Sequence, residues 1–285
     1  MNKMKKILLN FAGFLLAILL IFIVLWVAIP KAKNQFTSDK TATLKTQKIR
    51  YVALGDSLTE GVGDATAQGG FVPLFAKQIQ NVSGDVVESQ NFGKAGDTSG
   101  QIYTRMTTKA DLKKALKTAN VITITVGGND VMHVLKDNFS RLSNLTEKDF
   151  KKPALAYQKR CEKIFADIRK VNPTAQIYVL GIYNPFYLNF PNITMMQTII
   201  DQWNDATKHV VLAQKKAYFI PINQLLYKGN EGQEAIEEVK GKTTSKSEVT
   251  NQLLYAGDHF HPNNKGYQIM ADAVFKAYEK ENHSK

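Results

Sequence analysis

Three short and nearly uninterrupted apolar runs, Ile49–Leu54, Val121–Val126 and Ile177–Ile182, constrain this chain more than any other feature. A strand that is apolar at every position, rather than at alternate ones, is covered on both faces. Val86–Asn91 and Tyr218–Ile222 read as two further strands. Between the runs lie stripes at helical spacing. Phe71, Leu74, Phe75 and Ile79 mark one helix, with Pro73 tolerable in its first turn. Leu112, Ala115, Leu116 and Ala119 mark a second. Helices over about 154–170 and about 195–215 follow, and Met270, Ala273, Val274 and Ala277 mark the last. Strand and helix in alternation predict an α/β fold with a central parallel sheet and helices on both faces. Ligands of such sheets sit beyond the carboxyl ends of the strands. Ser57, Gly96 and Asn129 follow the first, second and third strands, so the pattern places all three on one edge.

Ahead of this pattern, Ile7 to Ile29 form an apolar run with one polar member, Asn10. At ~1.5 Å per helical residue it spans about 34 Å, enough for a bilayer core of about 30 Å. Lys3, Lys5 and Lys6 precede it, Lys31 and Lys33 follow, and Trp26 fits an interfacial anchor. An uncleaved membrane helix is the expectation. Secretion after signal cleavage is the alternative, although Pro30-Lys31-Ala32 is a poor cleavage site. Either way the remainder lies outside the cytoplasm. The chain thus divides into a membrane segment over 1–29, a polar linker over 30–47 and one domain over 48–285, whose size suits a single core.

Hydrophobic residues at 44% and charged residues at 22% are ordinary globular values. The net charge of +12, or +9 without Lys3, Lys5 and Lys6, admits attraction to anionic lipid or wall polymer, or simply a basic solvated surface. The lysines are dispersed and no nucleic-acid motif appears, so nucleic acid is not an expected partner. The single cysteine, Cys161, excludes an internal disulfide and falls on a core stripe with Tyr157, Ile164, Phe165 and Ile168. Residues 132–152 and 223–253 are polar and poorly periodic, and read as insertions: a lid, a substrate wall or plain surface excursions.

The chemistry sits at two places. Gly55-Asp56-Ser57-Leu58 ends the first run with a serine, and Asp258-His259-Phe260-His261-Pro262 offers an acid and a base. Nucleophilic hydrolysis needs a hydroxyl, a base to take its proton and a carboxylate to hold that base. The order Ser, Asp, His matches neither chymotrypsin nor subtilisin, and the serine is not in G-x-S-x-G. Asp258, His259 and His261 also suggest a metal cluster, but no further His or Cys pair joins them. His133, His209 and His283 read as surface or packing residues. The glycines around 55–63 and 69–70 lack the lysine of a phosphate-binding loop and the full dinucleotide fingerprint, so neither a metal nor a cofactor is expected.

Four ordered blocks carry a resemblance. Gly55-Asp56-Ser57-Leu58-Thr59-Glu60-Gly61 resembles the first block of the GDSL, or SGNH, hydrolases. Asn91 to Thr98 resembles the second, centred on Gly96; Gly127-Gly128-Asn129-Asp130 the third, centred on Asn129; Asp258 to Pro262 the last. The resemblance implies a flavodoxin-like three-layer α/β/α sandwich and a serine ester hydrolase with Ser57 as nucleophile. It implies His261, rather than His259, as base, oriented by Asp258. It implies the backbone N–H groups of Ser57 and Gly96 and the Asn129 amide as an oxyanion hole, with Asp56 and Asp130 in support. Glycine at 96 is expected because a side chain there would block substrate, and Pro262 is expected in the first turn of the last helix. The implied substrate is an acylated lipid or an acetylated cell-envelope glycan. An acyltransferase using the same serine and a non-catalytic binding module on the same scaffold remain as alternatives, and the oligomeric state stays open.

Overall fold

The computed structural model describes residues 47–140, 145–187, 194–228, 236–239 and 248–283. The predicted membrane helix over Ile7–Ile29 and the linker up to residue 46 lie outside the described residues. Among the described residues no helix is long and apolar enough to cross a membrane.

Five parallel strands, β1 (Lys48–Gly55), β2 (Val86–Gly93), β3 (Val121–Thr125), β4 (Gln176–Leu180) and β5 (Ala217–Ile220), form one sheet in the order β2-β1-β3-β4-β5. This is the flavodoxin-like doubly wound order, whose ligand crevice opens beside β1 and β3. Side chains alternate across the sheet. Val52 and Leu54 of β1 join Ile122 and Ile124 of β3 in one core, against α3 (Ser99–Thr108), α4 (Ala110–Thr118), α6 (Glu147–Val171) and α7 (Thr194–Leu212). Tyr51 and Ala53 face the other core, with α2 (Phe71–Ser83) and α9 (Asn264–His283). Both faces are covered, which is why these strands are apolar throughout. Phe75 anchors the second core, edge-on to Tyr51, Tyr178 and Tyr278 at centroid distances of 5.3, 6.3 and 5.9 Å. Cys161 is buried in the first, where burial pushes its thiol up to about 12.

The edge strand β2 differs: most of its residues are exposed. Glu88 and Gln90 face solvent there, and polar edges discourage further strand addition.

Two expectations need correction, the start of one helix and the place of Pro262, and the structure adds detail at two other points. The helix predicted from about 154 begins at Glu147, where Thr146 donates through both its N–H and hydroxyl to the Asp149 carboxylate (2.9 Å each). Pro153 sits at an interior position and removes one helical hydrogen bond, although proline is commoner in a first turn, and the stretch before it, Glu147 to Lys152, holds one buried apolar residue, Phe150, too little to show a periodicity. The supposed insertions contain regular elements among their described residues. Residues 132–137 continue α5 (Gly128–Asp137), and 223–253 contain α8 (Asn223–Lys228) and an antiparallel hairpin of β6 (Ile236–Val239) and β7 (Glu248–Asn251). Helix α3 was not foreseen, although Thr98 and Gln101 form its capping box just ahead of buried Ile102 and Met106. Pro262 stands outside α9. Asn263 caps that helix instead, accepting from the N–H groups of Lys265 and Gly266 at 3.0 and 3.1 Å.

Candidate active site

Ser57 opens α1 (Ser57–Glu60), a single helical turn directly off the carboxyl end of β1. Asp56 caps that turn. Its carboxylate accepts from the Leu58 N–H at 3.1 Å and from the Thr125 hydroxyl, on the neighbouring β3, at 2.8 Å. Burial pushes the Asp56 carboxyl upward, opposed by the Thr125 and Leu58 hydrogen bonds and by the nearby His261. Its role is structural: it fixes the backbone that presents Ser57.

Gly96 follows β2 in a turn closed by the Asp97 N–H donating to the Lys94 carbonyl (3.2 Å). Its φ is +81°, and a Cβ built on it would meet nothing within 4 Å. The left-handed backbone by itself favours glycine here, and the space a side chain would enter is open, as an approaching substrate would require. Among the described residues, the N–H groups of Ser57 and Gly96 donate to no protein acceptor.

Asn129 stands at the start of α5, just past β3, and donates through Nδ2 to the Asp97 carbonyl at 3.0 Å. One amide hydrogen thus locks the side chain against the Gly96 turn and the other stays available. Asp130 faces away from Ser57. It accepts from the Ser99 N–H (2.8 Å) and hydroxyl (2.6 Å) and pairs with Arg160 (2.8 Å), anchoring the start of α3.

On the loop before the last helix, the Asp258 carboxylate meets His261 Nδ1 at 2.6 Å. Its other oxygen accepts from the Phe260 and His261 N–H groups at 2.9 and 3.0 Å. Burial raises the Asp258 carboxyl, but these bonds and the adjacent imidazole outweigh it and hold the group below the usual carboxylate range. The engagement of Nδ1 leaves Nε2 as the nitrogen that can work. No hydrogen bond joins Ser57 to His261 among the described residues, in keeping with catalytic contacts that tighten only around substrate. His259, with φ +51°, lines a separate groove with Asn251, Gln252 and Asn263. The Asp-x-x-His spacing thus selects His261. Among the described residues, no three His, Cys, Asp or Glu side chains are gathered as a metal site.

Ser57 and Asn129 share a small open pocket of about 40 Å³ with Val126, Ile182, Tyr183 and Phe260. Gly96 and His261 do not line it; they adjoin it through Asp97, which holds Asn129, and through Phe260. The Tyr183 hydroxyl donates to the Phe260 carbonyl and ties the histidine loop to the end of β4.

Sequence reasoning missed Arg105. It pairs with buried Asp97 at 2.5 Å and donates to the carbonyls of Phe92 (2.9 Å) and Gly55 (2.8 Å). One guanidinium thereby joins the ends of β1 and β2 to the turn that holds Asn129. Its only sequence signal is an arginine beside a buried stripe with no acidic residue three or four positions away.

Comparison with known proteins gives the family. The model of the GDSL-like Lipase/Acylhydrolase family matches residues 53–269. YpmR of Bacillus subtilis is 30% identical over 245 residues, 85% of this chain and 87% of that protein. The spore germination lipase LipC of Bacillus licheniformis is 26% identical over 233 residues, 79% and 94% of the two chains. Among solved structures, the lipase Lip_vut3 from a goat rumen metagenome superposes with a TM-score of 0.64 at 26% identity, covering 80% of this chain and 97% of its own. The acetyl-xylooligosaccharide esterase Axe2 of Geobacillus stearothermophilus shares the fold, with a TM-score of 0.55 at 18% identity over 81% and 93% of the two chains.

Proposed function

The chain belongs to the GDSL-like lipase/acylhydrolase family and is an ester hydrolase, and from that premise we propose that it cleaves carboxylic esters through an acyl-Ser57 intermediate. Ser57 Oγ attacks the ester carbonyl while His261 Nε2 takes its proton. Asp258 holds Nδ1–H, fixing the tautomer and stabilising the imidazolium. The carbonyl oxygen gains charge as the tetrahedral intermediate forms. The N–H groups of Ser57 and Gly96 and the second hydrogen of the Asn129 amide are the donors that receive it. His261 then gives its proton to the leaving alkoxide. Water, activated by the same histidine, releases the acid and restores Ser57.

The observation that carries this assignment is the Asp258–His261 pair, whose neighbour Phe260 walls the pocket that holds Ser57 and Asn129. The substrate we propose is an acylated lipid or an acetylated cell-envelope glycan, met by a catalytic domain held outside the cytoplasm on a membrane helix over residues 7–29. The basic net charge and the apolar N-terminal run support that placement. The names of LipC, a lipase, and Axe2, an acetyl-xylooligosaccharide esterase, support the two substrate classes.

The test is hydrolysis of p-nitrophenyl acetate and butyrate by the protein beside Ser57→Ala. Activity that vanishes in the variant supports the serine mechanism, and a preference between the two chains separates deacetylase from lipase character. Equal activity in both proteins overturns it. Membrane partition of the full chain, compared with a chain starting at residue 34, tests the anchor.

A further inference from the structure

We infer that the loop over residues 61–70 is a clamp that sets His261 against Ser57, with Asp64 and Asn264 as its positioning residues; this rests on the catalytic assignment proposed above. The need for such a device follows from the local nature of the Asp258–His261 pair. Those residues are three apart on one partly exposed loop. Their hydrogen bond orients each relative to the other and fixes neither relative to a serine 204 positions away.

The loop supplies that missing constraint. Its near end is continuous with the nucleophile: the Ser57 carbonyl accepts from the N–H groups of Gly61 and Val62 at 3.0 and 3.1 Å. Its interior is gathered by Asp64, which accepts six hydrogen bonds. Oδ1 takes the Thr66 N–H (2.9 Å), the Thr66 hydroxyl (2.6 Å) and the Asn264 amide (2.8 Å). Oδ2 takes the N–H groups of Gln68, Gly69 and Gly70 at 3.1, 3.1 and 3.0 Å. Asn264 answers by accepting from the Ala65 N–H at 3.0 Å, and the Tyr267 hydroxyl donates to the Val62 carbonyl at 2.6 Å. Three hydrogen bonds therefore tie residues 62–65 to the first turn of α9, which starts three positions after His261.

Between these ties the two chains touch. Gly63 has φ +93°, and a Cβ built there would stand 2.5 Å from the Pro262 carbonyl oxygen and 3.3 Å from His261 Cβ. The bare glycine backbone is thus the surface on which the histidine segment rests. Partial burial raises the Asp64 carboxyl, but its hydrogen bonds outweigh that and hold it down at about 2, so it stays charged across working pH.

The experiment compares Asn264→Ala and Asp64→Asn, each in the parent and in His261→Ala, with p-nitrophenyl butyrate. A misplacement of about 1 Å costs on the order of 10²-fold in rate, so kcat should fall about 10- to 100-fold in the parent background. KM should hold within about twofold, because the substituted residues lie outside the Ser57 pocket. In the His261→Ala background neither substitution should lower the residual rate further, since the clamp acts through the histidine. Equal fractional losses in both backgrounds would mark a general structural role and overturn the inference, as would an unchanged kcat. If Asp64→Asn does not fold, Asn264→Ala still tests the bridge while leaving the five bonds internal to the loop. Ser57→Ala is the control: if it keeps full activity, the catalytic assignment has failed rather than the clamp alone.

Discussion

The two halves of the proposed machinery are built by opposite means. The oxyanion half hangs from strand ends and is fixed by buried charge: Arg105 pairs with Asp97, Arg160 with Asp130, and both carboxylates are almost wholly enclosed. The base half lies on a C-terminal loop. Asp258 and His261 keep about a third and a fifth of their side-chain surface in contact with solvent. Donors that meet a developing charge work best when they need not reorganise, so they belong on the rigid edge of the sheet. A histidine that must accept and return a proton needs solvent access and a correct distance. The loop provides the first, and contacts with residues 61–70 provide the second. Damage to the buried pairs that hold the first half should therefore appear mainly in stability, and damage to the second half mainly in rate.

The largest expected effect tests the base half. His261→Ala should lower kcat by about 10⁴-fold or more, as should Ser57→Ala, with modest change in KM. Asp258→Asn should lose less than His261→Ala. None of the three should shift Tm much, because exposed ion pairs contribute about 1 kcal/mol or less. His259→Ala should leave kcat unchanged. An inactive His259→Ala beside an active His261→Ala would reverse the assignment of the base.

Asn129→Ala is next and probes the oxyanion half. Loss of one preorganised donor costs about 10²- to 10³-fold in kcat. Steady-state kinetics with a folded variant checks it. A loss confined to KM would place Asn129 in ground-state binding instead.

Arg105→Met is the sharpest probe of the contrast itself. It leaves Asp97 buried without its partner, and breaking such a pair costs about 3–5 kcal/mol. Each kcal/mol lowers Tm by roughly 2–4 °C in a domain of this size. Thermal unfolding should therefore show a drop of several degrees, well beyond that of Asp258→Asn. Equal Tm values for the two variants would erase the distinction between the halves.

The same contrast explains what the sequence made legible. Strands β1, β3 and β4 are covered on both faces, so Tyr51 to Leu54 and their counterparts are apolar almost without a break, Thr123 and Thr125 excepted. That fixed the sheet direction and the edge on which Ser57 and Asn129 stand. The Asp258–His261 pair was legible because its members are local neighbours in a recognisable block. The start of α6 was hidden because Pro153 imitates a helix start. Arg105 and Asp64 were hidden for a different reason. Their meaning lies in partners 50 and 200 positions away, Gly55 and Asn264, and no periodicity encodes such a contact. The positive φ of Gly96 was hidden as well, since a glycine required by φ and one required by space look identical in a sequence.

The smallest expected effect concerns acid. Asp64 titrates at about 2 in the folded chain, below the roughly 3.9 of an unfolded aspartate. The unfolded chain therefore takes up a proton first as pH falls. The stabilisation from Asp64 is complete above about pH 4 and declines as pH drops toward 2. The group is partly exposed, so the shift in Tm should be small and should shrink in high salt. The difference in Tm between the protein and Asp64→Asn should be constant near neutrality and narrow below about pH 4. A Tm difference that stayed constant down to pH 2 would show that the charge on Asp64 contributes nothing to holding the loop over 61–70, and that its hydrogen bonds act without it.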